Sequence, residues 1–184
     1  MATVGRFQSK VVIVTGGCNG IGSGIVKVFR EHGGNVVIWD IDDPPLHAID
    51  DYSADEMRKL MDLNFIGYFL AAKYTLPHLR KTKGAIVNIS SITSTHGQRL
   101  ATAYCATKQW VLPGATNTAL MNAFITSDEA RQEFEDMSAL RRLGEPEEIG
   151  HVCLFLATDA TFIIGQEIQS SGGMSLGTAY QYRS

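Results

Sequence analysis

An α/β fold built on a parallel sheet is what this sequence predicts, on three observations. A run of β-branched residues, Val11 to Val14, stops at Thr15-Gly16-Gly17. An amphipathic stretch follows from about Gly20 to His32, and a second apolar run, Val36 to Trp39, ends at Asp40. Strand, helix and strand within about thirty residues make a parallel βαβ unit with a right-handed crossover.

The first run has no polar alternation and reads as a strand buried on both faces. The helix carries Ile21, Ile25, Val28 and Phe29 on one stripe, and Gly33-Gly34 closes it. After Asp42-Asp43-Pro44-Pro45 a long helix is predicted from about Ser53 to Leu79, with Met57, Leu60, Met61, Asn64, Tyr68 and Ala71 on one face. Gly84 to Ser90 reads as a third strand, and a short helix with Tyr104 and Lys108 is cut off by Pro113-Gly114. Further helices are expected at about Ser127 to Arg141 and Pro146 to Ala157, the second with proline at a favourable first position. Phe162 to Ser170 supplies a last strand before the turn at Gly172-Gly173.

A chain of 184 residues, 45% of them hydrophobic, suits one domain over residues 1–184. A net charge of -3 without a Lys/Arg run argues against nucleic acid or an anionic membrane as partner. Cys18, Cys105 and Cys153 are widely spaced, which suits free thiols in a reducing, cytoplasmic setting. The five histidines show no ligand spacing, so no metal site is expected. The longest apolar stretch, around His151 to Gly165, is too short and too interrupted to span a bilayer.

Thr15-Gly16-Gly17-Cys18-Asn19-Gly20-Ile21-Gly22 lies between the first strand and the first helix. Gly16 permits a tight turn, Gly20 lets the backbone approach a pyrophosphate, and Gly22 lets the helix come close to the sheet. The helix N-terminus offers free N–H groups and partial positive charge to phosphates. A glycine-rich turn without a ligand is the alternative, and the βαβ context disfavours it. Asp40, 24 residues after Gly16, can accept both adenosine ribose hydroxyls and would repel a 2′-phosphate. No Arg or Lys stands at 41–43, so NAD is favoured over NADP.

Tyr104 and Lys108 fall one turn apart on a helix. An ammonium beside a phenol favours the phenolate and lowers its pKa from about 10. Ser91 ends a strand where its hydroxyl can face the same pocket. Asn64 is polar on an apolar stripe, either a satisfied core asparagine or part of a relay. The pair alone is weak evidence, since amphipathic surface helices supply such spacings often.

Together these spacings resemble the short-chain dehydrogenase/reductase family. The family's Thr-Gly-x-x-x-Gly-x-Gly turn matches 15–22, its helix asparagine matches Leu63-Asn64-Phe65-Ile66-Gly67, and its serine strand matches Val87-Asn88-Ile89-Ser90-Ser91. Tyr-x-x-x-Lys matches 104–108, Pro-Gly-x-x-x-Thr matches Pro113 to Thr118, and the tail is similar through Arg142 to Ile149 and Phe162 to Glu167. The resemblance implies a Rossmann-like, doubly wound α/β fold with NAD held by Gly16, Asn19, Gly20, Ile21, Gly22, Asp40, Tyr104, Lys108, Gly114, Thr116 and Thr118. It implies catalysis by Asn64, Ser91, Tyr104 and Lys108 on a secondary alcohol or ketone. The opening segment and Gly172-Gly173-Met174 are most similar to the family's 17β-hydroxysteroid dehydrogenases, which implies a small hydrophobic or steroid substrate. Ala119 to Phe124 then reads as a lid over it or as an ordinary packed segment. Family members associate through the long helix and the Tyr/Lys helix, so a homo-oligomer is a further expectation.

The family runs to roughly 250 residues, and two of its stretches have no counterpart, near 43/44 and between 108 and 113. An abbreviated sheet of about four to five strands is therefore expected, less stable than the full fold. A shortened form without catalysis, or an NAD-binding module without turnover, is the rival reading.

Overall fold

The structure, a computed structural model, describes residues 5–41, 52–91 and 112–174. The chain divides into two compact units. One comprises Met1–Asp42, Pro113–Ile164 and Ser170–Ser184, the other Asp43–Leu112 with Gly165–Gln169.

The first unit opens with the expected βαβ. β1 (Val11–Thr15) and β2 (Asn35–Trp39) pair in parallel, Val11 opposite Asn35 through Thr15 opposite Trp39. Between them α1 (Gly20–Glu31) buries Ile25, Val28 and Phe29, and Gly34 N–H closes its end on the Phe29 carbonyl at 2.9 Å. Phe7 sets its ring edge-on against Phe29 at 4.7 Å.

The expectation that β1 is buried on both faces is corrected. Val14 is buried, but Val11 is 67% exposed and Ile13 40%, with Val37 and Trp39 alongside on the same face. Helix α1 covers one face of this pair, and among the described residues β1 pairs only with β2.

Later in the chain, β3 (Leu112–Pro113) leads through an irregular segment to α4 (Ala119–Phe124), α5 (Asp128–Met137) and α6 (Pro146–Thr158). Thr118 caps α4 and Ser127 caps α5, each accepting a backbone N–H three residues on. Glu145 and Glu148 close a reciprocal capping box on α6, with Pro146 at its first turn. Helix α6 lies against α1 and supplies Ile149, Cys153 and Leu154 to the core around Val28. The strand expected over Phe162 to Ser170 shrinks to β4 (Gln169–Ser170), paired with β3, and Phe162 and Ile164 are almost fully exposed.

In the second unit the expected long helix runs from 54 to 82 but not uniformly. α2 (Ala54–Met61) passes into a π-helical turn (Asp62–Ile66) and then α3 (Gly67–Thr82), which continues through Pro77. Ser53 and Glu56 form the capping box that starts α2. The third strand expected at Gly84 to Ser90 does not form a ladder among the described residues; only Ile89 makes a bridge. The α/β class holds, and among the described residues four strands fall in two two-stranded pairings.

Candidate functional site

At the end of β1 the chain turns at Gly16, whose φ of +66° favours glycine. Gly16 N–H donates to the Trp39 carbonyl at 2.8 Å, tying the turn to the end of β2. A Cβ on Gly22 would stand 1.8 Å from the Gly16 carbonyl oxygen. The close approach that requires glycine at 22 is thus to the turn itself, while Gly17 is the residue pressed against β2 at Ile38.

Asn19 precedes α1 in extended conformation with no side-chain cap, and the first turn holds no acid. The first N–H groups of α1 are therefore available to an anion, which the dipole also favours. Ile21 lies half-buried behind them.

Asp40 leaves the end of β2 and turns its carboxylate back over this loop. One oxygen accepts the Cys18 N–H at 2.6 Å and the other accepts the Ile41 N–H at 2.8 Å. The Cys18 backbone and thiol together hold the carboxyl below its ordinary range, and Asp40 in turn raises the thiol.

Gly114, Thr116 and Thr118 belong to the same unit. Gly114 N–H donates to Ser170, and buried Thr116 donates its hydroxyl to the Gly114 carbonyl at 2.9 Å. The Thr118 methyl stands 3.3 Å from where a Cβ on Gly20 would lie, so this segment reaches the glycine turn. Beside it an open crevice of about 430 Å³ is lined by Leu143 and by polar and charged residues, among them Asn117, Arg131, Arg142 and Glu148. Arg142 is clamped by both Glu148 oxygens at 2.7 Å. Helix α4, the stretch expected to be a lid or an ordinary packed segment, buries none of its own residues.

Asn64 and Ser91 lie in the second unit. Asn64 sits in the π-helical turn, half-buried, and such turns often mark working positions. One turn on, the Tyr68 hydroxyl donates to the Ile89 carbonyl at 2.8 Å, anchoring the helix to the segment that carries Ser91. Ser90 is buried with its hydroxyl unpartnered. Tyr104 and Lys108 lie outside the described residues, as does Cys105.

Among the described residues no group of His, Cys, Asp and Glu could hold a metal, and no helix is long and apolar enough to cross a membrane. Two partners of the candidate site escaped sequence reasoning: Cys18 and Ile41, whose backbone N–H groups donate to Asp40. Cys18 lies 22 residues from its partner, and no local pattern joins them.

The family described as short chain dehydrogenase matches residues 44–124, and one described as enoyl-(acyl carrier protein) reductase matches residues 109–175. An L-fucose dehydrogenase of Rattus norvegicus is 32% identical over 252 residues, covering 96% of this chain and 93% of that protein. A meso-2,3-butanediol dehydrogenase of Serratia marcescens is 29% identical, covering 91% and 95%. The first alignment is longer than the 184-residue chain, so the relative carries segments without counterpart here. Among solved structures, a ligand-free aldohexose dehydrogenase of Thermoplasma acidophilum matches with a TM-score of 0.81 at 22% identity, over 94% of this chain and 96% of that one. A protein described as an NAD(P)-dependent gluconate 5-dehydrogenase of Beutenbergia cavernae, with bound NADP, matches at 0.84 and 18% identity, over 95% and 100%. At such identity these structures establish the Rossmann-like fold alone.

Proposed function

The chain belongs to the short-chain dehydrogenase/reductase family, oxidoreductases of alcohols and ketones, and from that membership we propose that it oxidises a secondary alcohol reversibly with NAD. The observation that carries the cofactor half is Asp40. Its ionised carboxylate is folded over the glycine turn, where it suits two ribose hydroxyls and opposes a 2′-phosphate. The residues present fit a dinucleotide, because only glycine at 22 leaves the turn open and the α1 N-terminus faces it uncapped. Gly16, Asn19, Gly20, Ile21 and Gly22 would hold the pyrophosphate, and Gly114, Thr116 and Thr118 the nicotinamide half.

The nicotinamide, when bound, supplies the hydride acceptor. Tyr104 takes the hydroxyl proton, Lys108 lowers the tyrosine pKa through its charge, and Ser91 hydrogen-bonds the substrate oxygen. Asn64 holds a relay water from its π-helical turn. The steroid expectation gains no support from the relatives, whose names specify a sugar and a vicinal diol. A small polyhydroxylated substrate is therefore the better reading. A cytoplasmic, reducing setting suits the two free thiols among the described residues. Self-association through the long helix is supported by Phe65, Phe69 and Tyr74, each at least 60% exposed there.

The test is growth of NADH absorbance on a panel of L-fucose, meso-2,3-butanediol and oestradiol. Activity on a panel member that vanishes in Tyr104→Phe, with NAD binding retained, is the expected result. A wild type that binds NAD but turns over no alcohol would leave the non-catalytic module as the correct reading.

A further inference from the structure

The turn at Gly172-Gly173-Met174 packs on the Gly114 to Thr118 segment and fixes one of its peptides through a side chain. Gly172 and Gly173 reverse the chain at φ of +59° and +85°. Buried Ser138 anchors this turn, its hydroxyl donating to the Gly172 carbonyl at 3.0 Å. The turn presents half-buried Met174, whose Sδ accepts the Ala115 N–H at 3.2 Å. A Cβ on Gly114 would stand 2.7 Å from Ser171 Cα and 2.9 Å from Met174 Sδ, so glycine at 114 makes room for the turn. Backbone partners hold the peptides on either side. Gly114 N–H donates to the Ser170 carbonyl at 3.0 Å, and the Ala115 carbonyl accepts Gly144 N–H at 2.9 Å. The Gly114–Ala115 peptide between them is held by side chains, its N–H by Met174 and its carbonyl by the Thr116 hydroxyl at 2.9 Å.

We propose that Met174 is a positioning residue: its sulfur fixes the Gly114–Ala115 peptide and so holds Gly114, Thr116 and Thr118 in place for the nicotinamide half of a dinucleotide. The proposal rests on the dinucleotide reading above. Glycine lets this peptide rotate, since no Cβ restricts its dihedrals. The Thr116 hydroxyl comes from two residues on and turns with the segment. Met174 reaches in from 59 residues away and ties the peptide to the rest of the unit. Without the sulfur contact the segment must order itself when the nicotinamide arrives, and that cost is subtracted from affinity. The adenosine half is held at the glycine turn and Asp40, so the loss is confined to what the nicotinamide adds.

The experiment is titration calorimetry on the full chain with NAD and with ADP-ribose, which lacks the nicotinamide. The wild type should bind NAD more tightly. Met174→Leu keeps the volume and apolarity of the side chain but cannot accept a hydrogen bond. It should weaken NAD binding about two- to fivefold, the lower range of one hydrogen bond, and leave ADP-ribose binding unchanged. A variant that merely loosened the fold would lower both alike. Met174→Gln returns an acceptor on an unbranched chain and should bring the ratio between probes back to within about twofold of wild type. An unchanged ratio in Met174→Leu, or a glutamine variant behaving as the leucine one, would overturn the positioning role and leave the dinucleotide reading intact. A wild type that binds both probes equally would overturn it too, by showing no site for the nicotinamide half. A wild type that binds neither would sink the dinucleotide reading, and this proposal with it.

Discussion

Helices α1 and α6 meet where Gly24 faces Pro146, and Gly24→Ala tests whether that meeting organises the first unit. A Cβ at 24 would stand 2.4 Å from the Pro146 carbonyl carbon, 2.5 Å from its Cβ and 2.6 Å from its oxygen. Ordinary carbon contacts lie at about 3.5–4.0 Å, so the helices must part by about 1 Å. Two of the clashing atoms are backbone, which no rotamer change relieves. The parting loosens Val28, fully buried, and Ile149, 2% exposed, which share the same seam. Overpacking of this kind costs about 1–3 kcal/mol and opposes the gain of about 1 kcal/mol that alanine brings to a helix interior. Near-maximal overpacking is expected from a backbone clash, giving a net loss of about 2 kcal/mol. For a chain of this size that lowers the melting midpoint by about 4–8 °C. Gly16→Ala is the matched control: nothing lies within 4 Å of its Cβ direction, and only φ of +66° opposes the change. That variant should lose about 1–2 kcal/mol through backbone strain alone. Calorimetry on the three proteins decides the matter, and a higher midpoint in Gly24→Ala would show the α1–α6 contact to be looser than described.

Three other outcomes are expected. Glu148 is held down to about 2 from 4.5, first by the Arg142 guanidinium and then by Glu145 N–H. Its contribution is complete above pH 4.5 and disappears as pH falls towards about 2. Melting midpoints measured across that window should therefore fall more in wild type than in Glu148→Gln. Burial pushes the Cys153 thiol up to about 12; N-ethylmaleimide at neutral pH should leave it unlabelled in the folded protein and label it in urea, read by peptide mass spectrometry. Asp40→Asn removes the charge that opposes a 2′-phosphate, so NAD binding should weaken by about tenfold while NADP binding holds or improves, measured by titration.

What was legible in the sequence is what neighbouring residues decide among themselves. The βαβ unit came out within a residue at almost every boundary, because β-branched runs and glycine pairs mark its ends locally. The same signals over-read Gly84 to Ser90, where among the described residues only Ile89 makes a bridge, since a strand also needs a partner. A 3.6-residue period cannot register a π-helical turn, so Asn64 was placed on a uniform helix rather than in Asp62–Ile66. Asp40 was legible as the proposed ribose acceptor from its distance to Gly16. Its donors were not, and neither was the Gly24–Pro146 contact, because both join residues far apart in the chain.

The largest mismatch, the uncovered face of β1 and β2, has an energetic consequence. A Val, Leu, Ile or Phe side chain fully removed from water contributes about 1.5–3 kcal/mol. Val11, Ile13, Val37 and Trp39 are each 40–67% exposed, so together they forgo roughly 3–6 kcal/mol. That is a large part of the 5–15 kcal/mol that separates a typical native state from its unfolded chain. The ligand-free protein should accordingly melt below about 60 °C. A ligand at one hundred times its Kd adds about 2.7 kcal/mol to the form that binds it, which for this length raises the midpoint by about 5–10 °C. Differential scanning fluorimetry with and without NAD measures both numbers. A ligand-free midpoint above about 60 °C would mean that this apolar face is covered in solution, and a midpoint indifferent to saturating NAD would mean that the glycine turn and Asp40 do not form a dinucleotide site.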